Sequence, residues 1–138
     1  MSTGAALAQQ VRERAGSRCE YCMMHQSLQG ATFHIEHIIP EAQGGASALE
    51  NLALACPGCN LRKSDRVQCL DADTNVLVHL FHPRRQRWSD HFVFQGYQVV
   101  GKTAVGRTTI DALELNHSRR ILIREAEEKF GLFSPEAR

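Results

Sequence analysis

The sequence has no apolar run approaching the ~20 residues that a membrane span requires, and Met1-Ser2-Thr3-Gly4 lacks the basic-then-apolar layout of a secretory signal. Both absences predict a cytoplasmic chain with no membrane partner. It also has little net charge. Sixteen Lys and Arg stand against 15 Asp and Glu, leaving +1 at pH 7. A polyanion would therefore have to be held by local basic patches. Internal repeats and low-complexity segments are absent, which excludes a solenoid. The cysteines number five, an odd count that does not close into a disulfide framework. In a reducing compartment, two Cys-x2-Cys pairs point to metal instead.

What is present suits one small globular domain. The 138 residues are enough for a modest core, and 43% hydrophobic with 22% charged residues is ordinary for a soluble chain. Leu7, Val11 and Ala15 recur every four positions, so residues 3 to 15 read as a helix, capped by Ser2 or Thr3 and stopped by Gly16. Thr32 to Ile39 has the content of a strand. Alternation places His34 and Glu36 on one face and His37 on the other. Pro40 and Gly44-Gly45 force a turn. Ser47-x-x-Glu50 has capping-box spacing and can start one helical turn that presents Asn51. Leu52 to Ala55 is a short apolar segment, and Pro57 suits the first position of a helix carrying Cys59 and Asn60 in its first turn.

Downstream, Asn75 to Phe81 reads as a strand and Pro83 to Trp88 as a basic loop. His91 to Phe94 and Tyr97 to Val100 read as a hairpin turning through Gln95-Gly96. Two helices follow, over about 104 to 115 with Ile110 and Leu113 inward, and about 118 to 130 with Leu122, Ala126 and Phe130 in register.

Cys19-x2-Cys22 and Cys56-x2-Cys59 supply four thiolates with the gaps that suit tetrahedral zinc, since each short turn aims both sulfurs at one point. His25 competes as a ligand but reads as a surface histidine. Cys69 reads as a plain buried thiol.

The succession Cys19-Glu-Tyr-Cys22, Ile35-Glu-His-Ile-Ile-Pro40, Gly44-Gly45, Glu50-Asn-Leu52 and Cys56-Pro-Gly-Cys-Asn-Leu-Arg-Lys63 resembles the HNH endonucleases, the ββα-metal or His-Me finger group, in the branch stapled by a four-cysteine zinc. The resemblance covers residues 19 to 65, about a third of the chain. The run from Leu80 to Trp88 and Gly101-Lys-Thr-Ala-Val-Gly-Arg-Thr108 also looks like the extension of one bacterial subgroup. The resemblance implies that His37 is the general base, that Glu36 and Asn60 are ligands of a catalytic divalent cation, and that Asn51 braces the loop holding the base. Glu36 stands where the family usually has Asp or His, and Asn60 where many members have His. Both departures keep an oxygen donor, so they bear on the identity of the metal more than on activity.

The residue chemistry agrees with that implication. Phosphodiester hydrolysis needs a base titrating near neutrality, such as His, and a cation at the phosphate and leaving oxygens. A carboxylate with an amide carbonyl suits Mg²⁺ or Mn²⁺, whereas zinc closed in by four thiolates is structural. Bland readings stand beside these. Asn51 and Asn60 also fit as turn and cap residues, and His34 is open between a third metal or phosphate contact and an ordinary strand histidine. Arg62, Lys63 and Arg66 on the second helix fit phosphate contacts or a solvated face. Arg84, Arg85 and Arg87 fit a DNA backbone track or a solvated loop.

The expectation is thus an α+β chain, with a zinc-stapled ββα-metal core, an N-terminal helix and a C-terminal hairpin-plus-helices extension. It forms one HNH nuclease domain over residues 1–138, with residues 19–66 as catalytic core and 67–138 as extension. The expected function is metal-dependent hydrolysis of DNA, with products that family resemblance makes 5′-phosphate and 3′-hydroxyl ends. The alternatives are a non-catalytic zinc-stabilised nucleic-acid-binding module, or a subunit of a larger nuclease system.

Overall fold

A computed structural model describes residues 4–133. The four-residue spacing of Leu7, Val11 and Ala15 yields α1, Ala5–Ala15, with Val11 and Ala15 fully buried. Gly16 takes the left-handed conformation at φ +62 and ends the helix, as a residue without Cβ does at no steric cost. The expected caps, Ser2 and Thr3, lie outside the described residues; Gly4 occupies the N-cap position.

The core that follows is two short strands and a helix. β1, His34–His37, pairs antiparallel with β2, Leu52–Ala55, placing His37 opposite Leu52 and Glu36 opposite Ala53. All four β2 residues are buried, which explains the unbroken apolar run. β1 is shorter than the apolar stretch around it because the Asn51 side chain takes over the backbone of Ile39, accepting from its N–H at 2.9 Å and donating to its carbonyl at 2.9 Å. A helical turn at Leu49–Asn51 leads into β2, and α2 spans Pro57–Lys63 with proline at its start. The capping box does not form. Ala48 sits at the cap without a side-chain bond, while Ser47 Oγ lies 2.8 Å from His37 Nε2.

Beyond the core, β3 (Gln68–Asp71) and β4 (Val76–His79) form an antiparallel hairpin. Only its second strand has a sequence signal, because Gln-Cys-Leu-Asp lacks β-branched residues. The basic loop ends in a short helix, α3 (Trp88–His91), which displaces the next hairpin to β5 (Phe92–Gln95) and β6 (Gln98–Gly101). Its two-residue turn is Gly96-Tyr97, with Gly96 at φ +62. α4, Ala104–Leu113, packs on β3, β4, β6 and α2. It stops short of residue 115 because Glu114 turns left-handed at φ +51.

α5, Ser118–Lys129, corrects the sequence reading most sharply. Of its expected inner stripe, Leu122 and Phe130 face water, 65% and 70% exposed, and Ala126 is half-buried. Buried instead are Arg120, Arg124 and Glu127. The two arginines donate to the carbonyls of Leu113, Leu115 and Tyr97, and Arg120 donates to Cys59 Sγ at 3.0 Å. Carbonyls left over at the end of α4 and in the hairpin turn need donors when buried, and guanidinium groups supply several at once. A single buried cluster runs from Val11 to Leu115, joining the core to its extension. The architecture is α+β, built, among the described residues, of helices and three two-stranded antiparallel sheets. Among the described residues, no helix is long and apolar enough to cross a membrane.

Candidate functional site

The four paired cysteines converge. Cys19, Cys22, Cys56 and Cys59 are buried, with all four sulfurs within 4.8 Å of one another and Cys22 Sγ 3.8 Å from Cys56 Sγ. Four thiolates at about 2.3 Å from one tetrahedral ion stand about 3.8 Å apart. The backbone N–H groups of Cys22 and Cys59 approach the sulfurs of Cys19 and Cys56 at 3.5 and 3.4 Å, turning donors toward the negative charge that bound thiolates carry. Arg120 reaches the same cluster. The donor set fits one structural metal ion with no open position. His25 is not part of it; its Nδ1 meets Ser27 Oγ at 2.8 Å. Cys69 is half-buried and accepts from Arg66, unlike the buried thiol expected.

The cysteine cluster ties down both ends of the polar site. Its first turn carries Glu20, whose backbone N–H bonds the Leu54 carbonyl and whose Oε2 accepts from the Leu54 N–H at 2.9 Å. Its second turn starts α2. β1 and α2 are thereby fixed against each other, and a shallow cleft opens between them, lined by Glu36, His37, Glu41, Asn60, Ser64 and Asp65 among others. Three of the four predicted centre residues meet here. The fourth, Asn51, lies behind as a brace. Besides its two bonds to Ile39, its Nδ2 donates to Ala46 at 2.9 Å, pinning both ends of the loop that follows His37. Gly45 completes that loop, because a Cβ there would stand 1.7 Å from the Ile39 carbonyl oxygen.

His37 is held at Nε2 by Ser47 Oγ, with Glu41 Oε1 3.7 Å away. Glu36 is 6% exposed. Its Oε1 accepts from Tyr21 Oη at 2.5 Å, while Oε2 has no hydrogen bond and stands 3.3 Å from Lys63 Nζ. Burial pushes the Glu36 carboxyl above its ordinary range, and Lys63 and Tyr21 pull it back only in part. Burial first, then the charge of Glu36, pushes the Tyr21 phenol well up. Glu36 Oε2 has the Lys63 ammonium as its charge partner, and Asn60 lines the same cleft, so a carboxylate oxygen and an amide oxygen are hard donors that a cation there could use. His34 is exposed at the start of β1 and is not among the residues lining the cleft.

The basic residues divide. Lys63, expected at a phosphate, is 1% exposed and donates to the Ile38 carbonyl at 2.8 Å. Arg62 pairs with Glu114 at 2.7 Å, and Arg66 donates to the Arg62 and Ala112 carbonyls. Arg84 pairs with Glu20. Arg85 and Arg87 are exposed. The sequence reading also missed Tyr21, Ser47 and Glu41. Tyr21 sits inside the first cysteine turn and Glu41 four residues after His37, but nothing local marks either as reaching the centre.

Comparison with known proteins adds the family. Residues 19–66 match the family model for HNH endonuclease. The chain is 25% identical over 112 residues to the Septu protein PtuB of Bacillus thuringiensis, a match covering 80% of this chain. It spans only 41% of that relative's length. No solved structure matches the chain. The cysteine turns, the Glu36-His37 strand end and the Asn60 helix all fall inside the matched segment, and residues 19–66 carry a domain of the HNH endonuclease family.

Proposed function

We propose that this chain is a metal-dependent HNH endonuclease that hydrolyses phosphodiester bonds in DNA. The observation that carries this reading is the cleft where Glu36, His37 and Asn60 meet, with Asn51 bracing the loop beside it. His37 is the general base. In the tautomer that gives its Nε2–H to Ser47, Nδ1 keeps the lone pair that takes a proton from water; the water oxygen bonds to phosphorus as the bond to the leaving oxygen breaks, and the leaving oxygen takes a proton from solvent. Glu36 and Asn60 would hold Mg²⁺ or Mn²⁺, which when bound offsets charge at the phosphate and leaving oxygens. Lys63 and Tyr21 orient Glu36, and so serve as positioning residues. Zinc is the ion that the four cysteines suit, in a structural role.

Burial of Lys63 and the pairing of Arg62, Arg66 and Arg84 leave Arg85 and Arg87 as the freest phosphate contacts of the proposed set. The likeness to a Septu protein, over less than half its length, favours a second reading of context: this chain as the nuclease-bearing subunit of a larger system.

The test is incubation of the purified protein with plasmid DNA, with and without added Mg²⁺ or Mn²⁺. Cleavage should require the cation, and His37→Ala should lower the rate about 10² to 10⁴-fold while fold and bound zinc persist. Full activity in His37→Ala would refute the mechanism. Binding without cleavage under every condition would favour the non-catalytic module.

A further inference from the structure

Behind the cleft lies a second cavity, of about 390 Å³, that the hydrolytic reading leaves unused. Ile38, Ile39, Leu80 and Phe81 give it apolar walls, and His82 and Arg85 add polar groups. Its lining is linked to that of the cleft through neighbouring residues. Ile38 follows His37 in the chain, and Lys63 lines the cavity while its ammonium holds Glu36.

His82 is the informative residue. It is 9% exposed, and its Nδ1 accepts from the backbone N–H groups of Arg84 and Arg85, both at 3.2 Å. Accepting two donors there places the ring proton on Nε2, at the far edge of the imidazole. That N–H is buried and has no partner. Burial, then the charge of Arg85, holds the ring down to about 4, so it is a neutral donor at pH 7. At the rim, His79 is exposed and its Nδ1 lies 3.1 Å from the Leu80 carbonyl, which leaves Nε2 as an acceptor. Arg85 is also exposed, and among the described residues no acidic side chain pairs with it. Apolar walls, a buried donor, a nearby acceptor and a free guanidinium match a flat ring with mixed hydrogen-bonding edges, attached to a phosphate.

We propose that this cavity binds the base of an unpaired nucleotide, with its phosphate on Arg85. A base in a duplex presents its pairing edge to its partner strand, so the cavity selects single-stranded or locally opened nucleic acid. This rests on the nuclease reading only for the role of the neighbouring cleft. The binding chemistry is shared by a free nucleotide and by a nucleotide within a strand.

The experiment uses the full chain carrying His37→Ala, without added Mg²⁺ or Mn²⁺, so that nothing is cut and zinc is retained. A labelled mixed-sequence single strand and its duplex are titrated by fluorescence anisotropy, and a nucleoside monophosphate mixture by saturation-transfer NMR. His82→Asn removes the Nε2–H but keeps a side-chain acceptor for the loop; Arg85→Ala removes a side chain that nothing else in the fold uses.

The single strand should bind at least ten-fold tighter than the duplex. His82→Asn should weaken single-strand binding about ten-fold and change duplex binding less than two-fold, whereas Arg85→Ala, which removes a phosphate contact open to either form, should weaken single-strand binding about ten-fold and duplex binding as well. Monophosphate binding with no strand preference, lost in both variants, would identify a free nucleotide as the source. Equal weakening on strand and duplex by His82→Asn, or no effect of that variant, would overturn the proposal. So would the absence of any nucleic-acid or nucleotide binding, which would leave the cavity to a protein side chain. Failure of plasmid cleavage by the parent chain would refute the hydrolytic reading while leaving these titrations interpretable.

Discussion

Lys63 offers the sharpest test, because the sequence and the tertiary structure assign it different work. Its ammonium is 1% exposed, donates to the Ile38 carbonyl at 2.8 Å and stands 3.3 Å from Glu36 Oε2. Lys63→Met keeps the length of the stem and removes the charge. The buried Glu36 carboxylate then loses its counter-ion, a loss worth about 3–5 kcal/mol when a buried pair is broken from one side. The Ile38 carbonyl loses its donor as well, about 1–3 kcal/mol taken alone. The two are coupled through one ammonium, so the sum overstates the effect, and a loss of about 4 kcal/mol is expected. At about 2–4 °C per kcal/mol for a chain of this size, the melting temperature should fall roughly 10 °C. Glu36→Gln in the same chain removes the stranded charge and should restore about half the loss. The assay is urea unfolding followed by tryptophan fluorescence, since Trp88 is buried and donates to the Tyr21 carbonyl at 2.9 Å. If Lys63→Met unfolds within 1 kcal/mol of the parent and instead weakens DNA binding, Lys63 is a phosphate contact and the buried pair carries no weight.

Removal of the proposed zinc by a strong chelator, or Cys56→Ser, should unfold or aggregate the protein, because the cysteine cluster joins the first turn to α2; elemental analysis should find about one zinc per folded chain. Asn51→Ala leaves the N–H and carbonyl of Ile39 and the carbonyl of Ala46 without their partner, and should cost about 2–3 kcal/mol by denaturant titration and lower any cleavage rate with the base loop released. His82, held down to about 4 against an ordinary value of 6.5, keeps its full contribution above pH 6.5; the unfolding midpoint should fall as pH drops from 6.5 toward 4, and His82→Asn should flatten that stretch of the curve. Arg124→Leu should destabilise strongly and Leu122→Ala hardly at all, reversing what their hydrophobicity suggests.

Spacing and residue type determined the four-cysteine cluster and the order strand–turn–strand–helix, and the resemblance to HNH endonucleases singled out Glu36, His37, Asn51 and Asn60. These are local signals: a Cys-x2-Cys turn converges its own sulfurs, and Pro57 starts its own helix. The tertiary structure alone decided whatever depends on partners distant in sequence. The inward face of α5 is one such case, since carbonyls at Leu113, Leu115 and Tyr97 draw Arg120 and Arg124 inside and leave Leu122 and Phe130 in water. β3 is another, formed because β4 folds back to pair with it. Lys63 is the third. On a helical wheel it is one more cation beside Arg62 and Arg66, and only the packing of α2 against β1 brings it to Glu36, where burial makes the pair worth forming. A charge read from sequence has a sign but no address, and the fold supplies the address by deciding which groups are denied water.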